Sequence, residues 1–303
     1  MYLGIDFLID IRLRPYLIEV NVGLPGGAQE YHLTHLVKLG EPSDIFSRIE
    51  ETSWKVYGRG FQEYLDSLPL IESLKPFKLW MDGMGPYPER FHPGLRLEDK
   101  WTQYRLLSPL VLMPETALYD PLDREKAQGF LTRRGRLVLK RRVGRGGRGF
   151  QVVTDLNALP YVSTGSHACL LQEYIESRVD TYALSIRSVA FGGEFMCMYA
   201  NLSQRSFSNH GILAFVSEGD RFGLGEGDFE TACFDQRSWE AELWFGPHDP
   251  HYLRHNLYED EVARTAFCVP GSLYRRIKET SVTIERFYEG IDVSRLPRAC
   301  FEG

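Results

Sequence analysis

Two carboxylates and a carboxamide, Asp6, Glu19 and Asn21, stand in "GIDFLIDIRLRPYLIEVN", a stretch whose remaining pattern is that of paired strands. Two apolar runs flank the polar connection "DIRLR", and Pro15 falls at a strand start, where its missing N–H does least harm, so the stretch reads as a β-hairpin. A turn centred between Arg12 and Leu13 sets Asp6 opposite Glu19, Leu8 opposite Leu17 and Gly4 opposite Asn21. The side-chain period of two then gives Ile5, Phe7, Ile9, Tyr16, Ile18 and Val20 the core face, and Asp6, Glu19 and Asn21 the other. Carboxylates directly across a strand pair repel, and each suppresses the ionisation of the other unless a cation lies between them. A hard divalent ion held through oxygen meets that need; Mg2+, which keeps several waters and bridges to phosphates, suits this set. On these residues alone, a solvated outer face that tolerates the pair is the alternative.

A second concentration of chemistry lies in "LVLKRRVGRGGRGFQVV". A strand ends at Lys140, a loop carries Gly144, Gly146, Gly147 and Gly149, and a further strand starts at Phe150. Gly144, Gly146 and Gly149 match G-x-G-x-x-G, but the dinucleotide fingerprint needs a helix after the loop, and "FQVV" is strand-like. A glycine-rich hairpin loop can still cover phosphates, because glycine lets backbone N–H groups approach anionic oxygens. Lys140, Arg141, Arg142, Arg145 and Arg148 add positive charge there. A basic loop that touches nucleic-acid phosphates is the alternative, and the absence of interleaved aromatics disfavours it.

The elements that must position these groups are mixed α and β. "LLQEYI", "YALSIRSVAF" and "EFMCMYA" read as strands, the last two joined by Gly192 and Gly193. Residues 41–98 read as mainly helical, with Ile45, Ile49, Val56 and Leu65 at helical spacing. "PGSLYRRIKETSVTIERFYEG" carries a helical stripe of Leu273, Ile277, Ile284 and Tyr288 that ends at Gly290. The chain has 303 residues, 43% of them hydrophobic and 25% charged, with a net charge of -6. That balance argues against general attraction to nucleic acid. Five scattered cysteines offer neither a zinc spacing nor a disulfide framework. No apolar run reaches membrane-span length and no charged-then-apolar leader precedes the first strand, so a cytoplasmic protein without membrane partners is expected. His248, His251 and His255 lie in a Pro-containing loop with no Cys or Glu to complete a metal set, and Asn209 and His210 are candidates only for lining a cleft.

Taken together, these motifs resemble the ATP-grasp superfamily, which includes D-alanine-D-alanine ligases and glutathione synthetases. The resemblance implies an α+β fold of two subdomains clasping ATP. "EDKWTQYRLL" offers Asp99 and Lys100 at the start of the small lid subdomain, and Lys140 lies where that family's lid lysine meets the phosphates, ahead of Gly146 and Gly147. "LLQEYIESRVD" matches the hinge that reads adenine, with Glu173 and Tyr174, and Asp180 at the ribose position. Arg187 of "SIRSV" matches the arginine that faces the phosphates, and Asp6, Glu19 and Asn21 match the family's metal ligands.

In most of that family the metal hairpin comes last. Here it comes first, and joining Gly290 to Met1 restores the usual order, so the chain resembles a circularly permuted member; "FYEGID" near its end echoes "MYLGID". The implied units are residues 1–40 completing the large subdomain, 41–98 as a candidate substrate-binding region, 99–173 as the lid, and 174–303 as the rest of the large subdomain. The implied activity is ATP-dependent ligation of a small-molecule carboxylate to an amine or thiol through an acyl phosphate. Mg2+, or Mn2+ in its place, would be bound at the hairpin, with Arg187 and Lys140 in catalytic roles. Gly26 and Gly27 of "GLPGGAQEYHL" stand where the family's post-metal loop offers N–H groups to the acyl phosphate. Gly4 departs from the pattern, since many members carry an arginine there. The alternative is therefore a nucleotide-binding protein of regulatory or scaffold role without ligase chemistry.

Overall fold

The computed structural model describes residues 1–23, 25–81, 85–144, 149–160, 168–204, 211–226, 229–233 and 261–302. In chain order the elements are β1 (Leu3–Ile9), β2 (Pro15–Val22), α1 (Ala28–Leu39), α2 (Ile45–Tyr57), α3 (Phe61–Asp66), α4 (Pro69–Met81) and, after a 3-10 turn at Pro93–Glu98, α5 (Lys100–Leu107). There follow β3 (Thr116–Leu118), α6 (Glu125–Arg134), β4 (Leu137–Arg141), β5 (Gln151–Val153), β6 (Cys169–Glu173), β7 (Arg178–Val179), β8 (Tyr182–Phe191) and β9 (Glu194–Ser203). The last are β10 (Ile212–Gly219), β11 (Gly223–Leu224), β12 (Thr231–Cys233), β13 (Glu261–Pro270) and α7 (Gly271–Glu289). Residues 41–98 thus carry α2 to α4 and a 3-10 turn.

The fold is α+β and is organised on two sheets. The larger has the order β11-β13-β10-β9-β8-β1-β2, with β12 added beside β13 and β7 beside β8; the smaller has the order β3-β6-β4-β5. One face of the larger sheet is covered by α7, whose Leu273, Ile277, Ile284 and Tyr288 are buried against Ile5, Phe7, Ile186 and Phe267. These four are the stripe at helical spacing, and each contributes about 1.5–3 kcal/mol by leaving water. The opposite face is covered along β9, β10 and β13 by α1, through Tyr31 and Val37 on Tyr199, Leu213 and Val262. Near Phe191 it is covered by α2 and α3, through Ile45, Ile49, Phe61 and Tyr64. In the smaller sheet, Leu137 and Leu139 of β4 pack with Phe130 and Ala127 of α6. The alternation of β4 therefore turns Val138 and Lys140 the other way.

The hairpin differs from its sequence reading in one respect. Asp6 faces Glu19 and Gly4 faces Asn21 as expected, but Phe7 faces Leu17, Leu8 faces Tyr16, and the register shifts between Asp6 and Phe7. The loop spans Ile11 to Leu13, closed by Asp10 and Arg14, with Leu13 in the left-handed region (φ 56). This three-residue loop pairs residues half a step away from the expected turn, and a β-bulge at Ile18 absorbs the difference. The bulge flips the alternation beyond it. Leu17 joins Phe7 in the main core, while Tyr16 and Ile18 cluster with Leu8 and Ile175 instead of taking the core face.

Candidate functional site

At the β1–β2 end of the larger sheet, Lys100 of α5 and Lys140 of the smaller sheet reach the hairpin. Three cations expected at the site, Arg187, Lys100 and Lys140, converge there on the hairpin from distant parts of the chain. Arg187 of β8 is the cross-strand neighbour of Asp6. Its Nε and Nη2 donate to Asp6 Oδ1 and Oδ2 at 2.7 and 2.6 Å, a bidentate pair, and its Nη1 reaches Gly26 O at 3.4 Å. Asn21 donates from Nδ2 to Asp6 Oδ2 (3.2 Å), which leaves its carbonyl oxygen for another partner. Across the strand pair, Lys100 of α5 holds Glu19 with Nζ 3.0 Å from Oε1, and also donates to Gly144 O at 2.9 Å. From the smaller sheet, Lys140 donates to Ile18 O at 3.3 Å.

The electrostatics follow from this packing. Burial alone would raise the Glu19 carboxyl, but the Lys100 and Lys140 charges and the Lys100 hydrogen bond outweigh it and hold the group below the usual carboxylate range. Burial and the neighbouring Lys100 push the Lys140 ammonium down to about 8, against the pull of Glu19 and Asp6. Burial also opposes the charge of Arg187, yet the Asp6 carboxylate wins and fixes the guanidinium as a permanent cation. The facing carboxylates are thus compensated by Arg187 on one and Lys100 on the other. Among the described residues, Lys140 has no carboxylate at hydrogen-bond distance.

Supporting groups hold these in place, and among them Gln103, Glu98 and Glu30 had no signal in the sequence. Asp99 is fully buried, caps α5 by accepting from Trp101 N (3.0 Å), and pairs with Arg142, whose Nε lies 3.1 Å from Oδ1. Arg142 follows β4, so this pair ties the start of α5 to the smaller sheet beside Lys100. The open edge of β2 is satisfied by side chains: Val20 N donates to Gln103 Oε1 (3.0 Å), Val20 O accepts from Gln103 Nε2 (2.6 Å), and Val22 N donates to Glu98 Oε1 (2.9 Å). Glu30 caps α1 by accepting from Gly27 N at 2.5 Å, so the Gly27 N–H is already committed. Polar residues that serve as caps look, in sequence, like any others on a helix.

The remaining candidates lie elsewhere. Glu173 pairs with Arg134 (3.0 Å) and accepts from Glu115 N (3.3 Å), and the Tyr174 ring lies under Arg136, with Cζ 4.0 Å from its centre. Asp180 sits exposed in the turn before β8 with φ 50. Arg187 lies midway along that strand, five steps of about 3.3 Å from Tyr182 and so on the order of 17 Å away. Gly146, Gly147, Arg145, Arg148, Asn209, His210, His248, His251 and His255 lie outside the described residues.

The Gly4 departure has a steric reading. A Cβ on Gly4 would stand 2.8 Å from Pro25 Cβ, so the loop after Asn21 occupies the space an arginine there would need. Among the described residues no three or more His, Cys, Asp or Glu side chains gather to hold a metal. No described helix is long and apolar enough to cross a membrane. The protein side of the cleft can therefore offer a cation oxygen donors only, two carboxylates and one amide, and can offer an anion Lys140, Lys100 and Arg187. No protein-family model matches the chain, and no curated protein matches it either.

Proposed function

We propose that this cleft binds ATP between the two sheets and activates a carboxylate for attack by an amine or thiol, as in an ATP-grasp ligase. The observation that carries the reading is the convergence of Lys100 and Lys140 on Glu19, directly across from an Asp6 held by Arg187. Cations brought from 80 to 180 positions away, against the penalty of burying them, suit a polyanionic ligand better than a resting core.

Asp6, Glu19 and the Asn21 carbonyl would hold Mg2+, or Mn2+, because the set is all oxygen and small enough to leave positions for water and phosphate. Such an ion would supply charge neutralisation on the phosphates. Lys140 and Lys100 would move from Ile18 O and Gly144 O onto phosphate oxygens, exchanging neutral acceptors for charged ones. Arg187, already oriented by Asp6 and protonated at any working pH, would stabilise the charge that develops as the γ-phosphoryl passes to the substrate carboxylate. The apolar cluster of Leu8, Tyr16, Ile18 and Ile175 offers a surface for the base. Met1 N lies 2.5 Å from Glu285 Oε1 and also pairs with Glu289, so the end of α7 adjoins the start of β1. That adjacency supports the circularly permuted order.

The decisive experiment supplies ATP and Mg2+ with panels of carboxylic acids, adds hydroxylamine as a trap for acyl phosphate, and measures ADP and hydroxamate. Hydroxamate formation that depends on one acid supports the ligase. The filled space at Gly4 favours a second reading, a nucleotide-binding protein of regulatory or scaffold role; saturable ATP binding without ADP formation across the panels would select it. Absence of ATP binding would end both.

A further inference from the structure

Lys140 stands apart from the other cations of the cleft. Lys100 is held by Glu19 Oε1 at 3.0 Å and Gly144 O at 2.9 Å, and Arg187 by both carboxylate oxygens of Asp6. Lys140 has Ile18 O at 3.3 Å as its acceptor and, among the described residues, no ion-pair partner. The alternation of β4 explains the placement: Leu137 and Leu139 pack with α6, so Lys140 faces the hairpin. Its side chain is only partly buried, and a small reagent can reach the amine.

An amine attacks a carbonyl through its lone pair, so a protonated lysine is inert. Burial and the Lys100 charge bring the Lys140 ammonium down to about 8, with Glu19 and Asp6 pulling the other way. At pH 7 about one Lys140 in ten is then uncharged, against about one in 3,000 for an ordinary lysine. Desolvation beside a second cation is the setting that turns a lysine into a nucleophile. Lower basicity weakens any nucleophile and offsets part of this gain, leaving on the order of tenfold or more. Lys100 is committed to Glu19, and the Arg187 guanidinium does not deprotonate. Both add positive charge that draws an anionic reagent toward Lys140.

We propose that Lys140 is an acylation site whose donors are acyl phosphates. In the step, the Nζ lone pair attacks the acyl carbon and the bond from that carbon to the phosphate oxygen breaks. Inorganic phosphate leaves with the electron pair, and the new amide nitrogen releases a proton to water. The inference deepens the ligase reading and rests on it for the natural donor: an acyl phosphate that meets no amine or thiol passes its acyl group to Lys140 instead. The acylated side chain is neutral and no longer pairs with phosphate, so the cleft would lose affinity for ATP. Supply of the acceptor would thereby set how long the cleft stays open to nucleotide.

The test adds acetyl phosphate to the whole chain without ATP, from pH 7 to 9, and follows acetylation of each lysine by peptide mass mapping. Lys140 should be acetylated at least tenfold faster at pH 7 than the exposed Lys38 and Lys126, and ATP with Mg2+ should slow it. Between pH 7 and 9 its rate should rise about tenfold and level off, whereas that of an ordinary lysine should rise about a hundredfold. By calorimetry, the acetylated chain and Lys140→Gln should both bind ATP with Mg2+ at least fivefold more weakly. The proposal is overturned if Lys140 reacts no faster than Lys38 and Lys126, or if acetylation leaves a measured ATP affinity unchanged. Rapid acetylation of Lys140 in a chain that binds no ATP would keep the acylation site and remove the nucleotide reading; ATP binding with an unreactive Lys140 would do the reverse.

Discussion

Removing the charge of Glu19 while keeping its shape probes the cleft most directly. In Glu19→Gln, Lys100 loses the anion 3.0 Å away, and Lys140 loses the charge that partly offsets its burial. A hydrogen bond to a charged partner contributes about 1.5–3 kcal/mol. A quarter of the Glu19 side chain is open to solvent, which argues for the lower end, on the order of 1–2 kcal/mol after screening. For a chain of this size that is a fall in Tm of roughly 2–5 °C. The pH dependence has a definite sign: the folded Glu19 carboxyl lies below its usual 4.5, so its contribution is present above that value and lost as pH falls through the folded pKa. The stability gap between wild type and variant should therefore close below about pH 4. Ligand binding should move in opposite directions with and without metal. The variant's cleft is more positive by one charge, so ATP without Mg2+ should bind roughly fivefold tighter, from a Coulomb gain of about 1 kcal/mol at several ångströms. With Mg2+ it should bind more weakly, because one of two carboxylate donors is gone. Calorimetric titration of both proteins, with and without Mg2+, reads the two effects. An equal Mg2+ dependence in wild type and variant would refute the reasoning.

Lys140 carries a burial penalty in the fold. Its ammonium is held at about 8 against an ordinary 10.5, so Lys140→Met should stabilise the protein at pH 7 by on the order of 1–3 kcal/mol, with the gain shrinking as pH rises from 8 to 10.5; urea unfolding across that range measures it, and ATP affinity should fall. Asp99→Ala strands Arg142 and removes the α5 cap, so a loss of about 3–5 kcal/mol is expected by urea denaturation, well beyond an exposed-pair control such as Lys55→Ala. Gly4→Ala should destabilise by about 1–3 kcal/mol, because the new methyl meets Pro25 at 2.8 Å; Gly4→Ala with Pro25→Gly should recover most of that loss, as double-mutant unfolding would reveal.

Much of the cleft was legible from local pattern. The period-two alternation of the first 22 residues and one turn put Asp6 opposite Glu19, the apolar run of β4 put Lys140 near a strand end, and the spacing of Leu273, Ile277, Ile284 and Tyr288 drew the buried face of α7. Each depends on residues a few positions apart, where backbone geometry alone fixes which side chains share a face. The bulge at Ile18 was not legible, because it reconciles the handed loop at Leu13 with the pairing at Asp6, a compromise between two local preferences. Nor were the partners. Arg187 meets Asp6 across 181 positions, Gln103 caps β2 across 83, and Arg142 meets Asp99 across 43. Those pairings, the depressed Lys140 and the closure of space at Gly4 depend on desolvation and close approach, which exist only once distant segments have packed. The sequence by itself determined which groups could do chemistry and on which face of their own strand or helix they stand; only the tertiary structure decided which charges they meet.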